Sequence, residues 1–303
     1  MGTPDFAVAS LDAICRAGYD VVGVVTVPDR QTGRGLKVTF SPVKQYAIEH
    51  NLPLLQPEKL RDAQFQDDLR AWDADIFVVV AFRMLPQSVW AMPRRGTFNL
   101  HASLLPQYRG AAPINWAIIN GERETGVTTF MLNERIDEGG ILLQQATPIS
   151  ADDDAGSLHD RLAEMGRRMV IETLRGIDDG TVAARPQRSE PSLKPAPKIF
   201  KSDCVVDWQQ DGQRVVDFIR GLSPYPAATA TLTDTKGRPL PIKIYKAAFE
   251  PADGSVSGQV MTDGKTYIKI GVPDGYVSLL SIQLSGKRRM SVEEFLRGCR
   301  ISC

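Results

Sequence analysis

Asp75-Ile76-Phe77-Val78-Val79-Val80-Ala81-Phe82 is an apolar run with no charge after its first position. A strand with one solvated face alternates apolar and polar residues, whereas one covered on both faces reads as a continuous apolar run. Val21–Val27 has the same character. Helical periodicity surrounds the two runs, at Phe6–Ala17 before the first and at Pro42–His50 and Ala63–Ala71 between them. Further strands are expected at Gly96–Ala102 and Gly126–Leu132, with a helix through Pro113–Ile119 separating them. A strand at Ile141–Ile149 and a long amphipathic helix at Ser157–Leu174 complete the block. This alternation predicts an α/β domain, a Rossmann-like, doubly wound and mostly parallel sheet.

The opening departs from that plan. Pro4 and Asp5 are helix-start residues, so the chain enters a helix directly. A doubly wound domain needs a central strand feeding the turn at Gly2. The first strand is missing here, and Met1 is expected to be an internal methionine with a short strand upstream.

Residues 182–201 change character. Pro186, Pro191, Pro195 and Pro197 punctuate a polar, basic stretch that reads as an extended linker. After a helix at Gln213–Leu222 come short alternating segments at Ala228–Leu232, Ile242–Phe249, Gly258–Thr262, Thr266–Ile270 and Tyr276–Leu280. Their Gly, Asp and Pro turns predict a small OB-like β-barrel, ended by a short helix at Ser291–Arg297. The expected division is therefore a domain over 1–181, a basic linker over 182–201 and a β-barrel domain over 202–303.

With 303 residues, 43% hydrophobic and 24% charged, the chain has room for two globular domains. No apolar run approaches the ~20 residues that cross a bilayer. The first residues lack the basic and apolar regions of a signal peptide, and a cytoplasmic protein is expected. Cys15, Cys204, Cys299 and Cys303 form no Cys-x-x-Cys pair and read as reduced thiols. Formal net charge is zero, yet basic residues cluster. Arg30, Arg34, Lys37 and Lys44 oppose only Asp29. Arg185, Arg188, Lys194, Lys198 and Lys201 oppose only Glu190. Lys287, Arg288, Arg289, Arg297 and Arg300 oppose Glu293 and Glu294. One such cluster is ordinary solvated surface; three on a neutral chain point to an RNA-facing side.

Three histidines are available for acid/base work near neutral pH. His50 and His159 sit on predicted helices among polar neighbours. His101 lies at the end of a predicted strand, in Phe98-Asn99-Leu100-His101-Ala102. Side chains alternate along a strand, so Asn99 and His101 share a face. Ligands of parallel α/β sheets lie at the carboxyl ends of the strands, where an amide donor and an imidazole would converge. A hydrogen-bonded structural histidine is the other reading at this point. Asp137, in the turn Arg135-Ile136-Asp137-Glu138-Gly139-Gly140, is either a turn-former or a partner to His101.

Asn99-Leu100-His101, Ser103-Leu104-Leu105-Pro106, Arg109-Gly110 and Asp137-Glu138-Gly139 together resemble the folate-dependent formyltransferase family. Other segments resemble the branch of that family whose acceptor is a charged initiator tRNA. They are Met1–Phe6, Pro28–Gly35, Ser41–Lys44, Ala196–Ile199, Ser223–Pro226 and Ser285–Ser291, so the resemblance spans nearly the whole chain. Glu138 departs from the usual Asp-Thr-Gly of the family, which is expected to change a neighbour of the site and leave its chemistry intact.

The resemblance implies transfer of a formyl group from 10-formyltetrahydrofolate, the co-substrate, to the α-amino group of methionine on initiator tRNA, with no metal. It makes 1–181 the catalytic domain and 202–303 the tRNA-binding domain. It implies catalytic roles for Asn99, His101 and Asp137, and a folate pocket shaped by Ser103, Leu104, Leu105, Pro106, Phe82 and Leu85. Arg34, Lys37, Lys198, Lys287 and Arg288 are the expected tRNA contacts, and a monomer with no membrane partner is expected. Three rivals remain: a formyltransferase for a small amine such as an amino sugar or a purine precursor, a hydrolase releasing formate, and an RNA-binding module on a degenerate scaffold.

Overall fold

The structure, a computed structural model, describes residues 1–32, 37–188 and 192–302. The chain divides into two compact units. The first comprises Met1–Gly110, Thr125–Thr147 and His159–Pro195; the second comprises Ala111–Glu124, Pro148–Leu158 and the chain from Ala196 onward. The change of unit at Pro195 and Ala196 falls inside the stretch read as a linker.

The elements run α1 (Asp5–Arg16), β1 (Val24–Val25), β2 (Arg30–Thr32), β3 (Lys37–Thr39), α2 (Pro42–Glu49), β4 (Leu54–Leu55), α3 (Ala63–Ala71), β5 (Phe77–Val80), α4 (Gln87–Trp90), β6 (Thr97–His101), α5 (Pro113–Ile119), β7 (Glu124–Met131), β8 (Ile141–Pro148) and α6 (Ala155–Asp178). Then follow α7 (Gly212–Leu222), β9 (Ala228–Thr233), β10 (Pro239–Pro251), β11 (Val260–Thr262), β12 (Ile268–Val272), β13 (Gly275–Leu284), β14 (Met290–Ser291) and α8 (Val292–Gly298). Local chemistry sets several boundaries. Ser41 accepts the Lys44 N–H at 3.1 Å and Asp62 accepts that of Phe65 at 3.0 Å, which caps α2 and α3. Ser291 and Glu294 form a reciprocal capping box at α8.

In the first unit β1 pairs with β4 and β5 with β6, both parallel, as the α/β reading requires. β6 and β7 pair antiparallel, with His101 opposite Thr128, which corrects the expectation of a continuing parallel sheet. The helix of the β6–β7 connection, α5, belongs to the second unit and so is not a crossover helix of this sheet. β8 neighbours β7 across only nine residues, 132–140, whereas a parallel return takes about a dozen or more.

Met1 and Gly2 join the β1 and β5 parts of this unit. The Gly2 N–H donates to Val25 O and the Val80 N–H to Met1 O, each at 3.0 Å. The Met1 amino group donates to Val78 O at 2.7 Å. A side chain at Gly2 would meet Ala7 Cβ at 2.5 Å and Val80 O at 2.9 Å, so only glycine lets the backbones approach this closely. A cavity of about 370 Å³ lies beside the joint, lined by Leu11, Val22, Val24, Trp72, Val78 and Leu174 among others. Val25, Leu60, Phe65, Leu69, Phe77, Val79, Leu85 and Val89 form a buried cluster in this unit.

In the second unit the strands pair antiparallel in the order β11-β12-β13-β10-β9, with β14 also on β13. Among the described residues nothing pairs β9 with β11, so the sheet is open where the sequence predicts an OB-like barrel. β11 spans only three residues and has few main-chain groups to offer a second neighbour. Ile219 and Leu222 of α7 pack with Ile242, Ile244, Ile268, Ile270 and Leu279 of the sheet. Asn115 of α5 donates to Gly221 O at 2.7 Å. No helix among the described residues is long and apolar enough to cross a membrane.

One stability measurement follows from these contacts. At Gly126 an added Cβ would lie 2.1 Å from the main-chain oxygen of Gln145, which cannot step aside as a side chain can. Gly126→Ala should cost about 1–3 kcal/mol in urea unfolding.

Candidate active site

β6 enters the core through Phe98 and Leu100, both buried on one face. That alternation turns Asn99 and His101 to the other face. Asn99 is half-buried, and its side-chain amide makes no hydrogen bond among the described residues. His101 is buried, with its ring edge-to-face against Phe130 at a centroid distance of 6.4 Å. Its Nε2 donates to the Tyr108 carbonyl at 2.8 Å, and its Nδ1 lies 3.9 Å from Asp137 Oδ2. Both ring nitrogens therefore face oxygen acceptors.

Two backbone irregularities create this arrangement. Tyr108 has φ 60° and Asp137 has φ 53°, the left-handed region that costs a side-chain-bearing residue energy. At Tyr108 the conformation aims a carbonyl at the imidazole. At Asp137 it presents the carboxylate, whose Oδ2 also accepts the Gly110 N–H at 2.9 Å. Glu138 pairs through Oε1 with Arg109 at 3.1 Å and through Oε2 with Arg135 at 3.4 Å. The departure from the family pattern is thus an ion-paired neighbour of Asp137.

The segment from Ser103 to Pro106 is braced from within. Ser103 Oγ donates to Gln107 O at 2.7 Å, and Thr128 Oγ1 donates to Ser103 O at 2.6 Å. Gln144 Nε2 donates to Leu105 O at 2.8 Å. Ser103, Leu105 and Pro106 are buried and Leu104 is half-buried. Leu85 belongs to the buried cluster around Phe77, and Phe82 packs against it. What this segment can offer a ligand is therefore largely its main chain.

Sequence reasoning missed Arg109 and Gln187 as members of the site. Gln187 Oε1 accepts from Arg109 Nε at 3.2 Å and Nη2 at 2.6 Å. Its Nε2 donates to Asp137 O at 2.7 Å and Gly139 O at 2.9 Å. Arg109-Gly110 was legible as a motif; Gln187, fifty residues from Asp137, carries no local signal.

The other histidines have structural partners. His50 stacks on Tyr46 and donates to its carbonyl at 2.9 Å, and His159 contacts Asp160 at 3.0 Å. Of the expected RNA contacts, Arg34 lies outside the described residues, as does the side chain of Lys37, whose backbone opens β3. Lys198 Nζ stands 5.4 Å above the Phe200 ring. Lys287 is exposed in the turn between β13 and β14, and Arg288 pairs with Glu294 at 3.1 Å. Among the described residues no group of three or more His, Cys, Asp and Glu is placed to hold a metal ion.

Comparison with known proteins identifies the family. The N-terminal formyl transferase domain matches residues 1–174, and the formyl transferase C-terminal domain matches 198–300. The chain is 54% identical to the Methionyl-tRNA formyltransferase of Bacteroides fragilis, over 100% of this chain and 94% of that protein. It is 55% identical to the protein of the same name from Bacteroides thetaiotaomicron, over 100% and 95%. Among solved structures, an N-formyltransferase from Helicobacter canadensis, in complex with folinic acid and dTDP-3-aminofucose, aligns with TM-score 0.66 and 20% identity over 95% of this chain and 97% of that one. HypX from Aquifex aeolicus, in complex with tetrahydrofolic acid, aligns with TM-score 0.58 and 21% identity over 85% and 45%. These two likenesses concern the fold. Through both of its matched domains, this chain belongs to the formyl transferase family.

Proposed function

We propose that this chain transfers a formyl group from 10-formyltetrahydrofolate to the α-amino group of methionine carried by initiator tRNA. Full-length identity of more than half to relatives named Methionyl-tRNA formyltransferase carries this reading. The approach of Asp137 to His101 at the end of β6, with Asn99 on the same strand face as His101, supports it.

The amine attacks the formyl carbon, a new C–N bond forms, and negative charge develops on the formyl oxygen. Asn99, whose amide is unengaged among the described residues, donates to that oxygen, and His101 supplies a second donor. As the tetrahedral species collapses, the bond from carbon to N10 of the folate breaks and a proton passes from the attacking amine to N10. His101 shuttles that proton, releasing its contact to the Tyr108 carbonyl as it does so. Asp137 orients the imidazole. Neither a metal nor an acyl-enzyme takes part.

Ser103–Pro106 with Phe82 and Leu85 shape the folate pocket, mainly through main-chain groups, because most of these side chains are buried. Arg34 and Lys37 approach the acceptor end of the tRNA, while Lys198 of the linker and Lys287 and Arg288 beside the open β-sheet meet its backbone. The protein acts in the cytoplasm as a monomer.

The test is transfer from 10-formyltetrahydrofolate to charged initiator and elongator methionyl-tRNA in parallel. Formyl-methionine on the initiator alone is expected; transfer only to an amino sugar would overturn the assignment. Asn99→Ala and His101→Ala should each lower kcat by about 10²–10³ with an unchanged melting curve, the loss typical of one oxyanion donor. Near-normal turnover by the His101 variant would remove that residue from the mechanism. tRNA affinity should fall steeply between 50 and 200 mM salt, on the scale of ~10³ or more for six to ten phosphate contacts. Lys287→Ala should reduce the slope of log K against log salt by about one. A slope indifferent to this substitution would take Lys287 out of the RNA surface.

A further inference from the structure

We propose that Gln187 is a positioning residue for formyl transfer: it locks the turn that presents Asp137 to His101, and Arg109 with it. The proposal rests on the formyl-transfer reading above and adds a residue to it. Gln187 lies in the stretch that composition marks as a linker, where nothing in the sequence singles it out. A glutamine amide has two donor hydrogens and an oxygen with two lone pairs, and here all four engage. The oxygen takes two N–H groups of Arg109, at 3.2 and 2.6 Å. The nitrogen gives one hydrogen to Asp137 O and one to Gly139 O, at 2.7 and 2.9 Å.

The geometry explains why the turn needs such a clamp. Asp137 is left-handed at φ 53°, a conformation that persists only where its surroundings hold it. The Gly110 N–H restrains its carboxylate, and Gln187 restrains the carbonyls on either side of Glu138. Arg109 closes the ring through its ion pair with Glu138. The same strand of chain is anchored independently. Arg185 exchanges two backbone hydrogen bonds with Ile141, at 2.7 and 2.8 Å. Further on, Lys194 accepts the Tyr108 N–H at 2.7 Å and donates its own N–H to Gln107 Oε1 at 2.9 Å. Gln187 and Lys194 thus hold the main chain of the two residues whose oxygens face His101, Asp137 and Tyr108. Removing only the Gln187 amide leaves these backbone anchors in place, so the segment stays docked while the Asp137 turn loosens.

The experiment uses the full chain with 10-formyltetrahydrofolate and charged initiator tRNA, comparing Gln187→Ala, Gln187→Glu, Asp137→Ala and the Gln187→Ala/Asp137→Ala double variant. A displacement of 1 Å in a catalytic array can cost ~10²-fold, so a loosened turn should lower kcat about tenfold in Gln187→Ala, with KM for both substrates and Tm unchanged. Gln187→Glu keeps the acceptor for Arg109 but sets an oxygen against two carbonyls, and should lose at least as much. In the Asp137→Ala background Gln187→Ala should cost nothing further, because its effect runs through Asp137. Equal losses in both backgrounds, full activity of Gln187→Glu, or an effect confined to KM for tRNA would each overturn the proposal. His101 imidazole NMR resonances give a readout that does not need turnover. They should move in the same direction in Gln187→Ala and Asp137→Ala; a shift in the latter alone also overturns the role. Wild-type protein that transfers no formyl group yet shows the paired shifts would place the failure in the assigned reaction and leave the clamp standing.

Discussion

Three main-chain hydrogen bonds at Met1 and Gly2 hold the first unit together. Among the described residues β1 pairs with β4 and β5 with β6, and Gly2 bridges to Val80 of β5 while its N–H reaches Val25 of β1. Gly2 can serve because it has no Cβ to collide with Ala7 and the Val80 carbonyl. β5 and β6 take their place from this joint, and β6 ends in His101.

The site uses little regular structure. β6 delivers Asn99 and His101 to one face by alternation, and everything that tunes His101 comes from loops. Tyr108 and Asp137 adopt left-handed conformations, and each is tied at neighbouring atoms by bonds from distant segments. Loops that carry function need such ties, because a constellation set to fractions of an ångström cannot rest on segments free to relax. Glu138 belongs to the same economy: it keeps Arg109 beside the turn.

The relation between chain order and structure also bears on how the site was legible. Ala63–Ala71 and Pro113–Ile119 match the expected helices at both ends, because an Asp cap and a Pro start announce them locally. Asn99 and His101 could be read from strand alternation, and the triad with Asp137 from the family resemblance. The antiparallel turn of the sheet at β7 could not. Strand–helix alternation is silent about which unit a connecting helix joins, and α5 joins the second. The open sheet of β9 to β14 escaped for a similar reason: alternating segments reveal strands, while closure depends on which edges meet.

By itself, then, the sequence determined the local elements, the two-part plan, the face shared by Asn99 and His101 and, through resemblance, the kind of chemistry. These follow from periodicity and from residues adjacent along the chain. Tertiary structure alone decided that Met1 and Gly2 bridge two parts of a sheet, that Glu138 is held by Arg109, and that Gln187 joins the Asp137 turn from a stretch resembling a linker. Each is a hydrogen bond or ion pair between residues far apart in sequence, and only folding sets the distance between them.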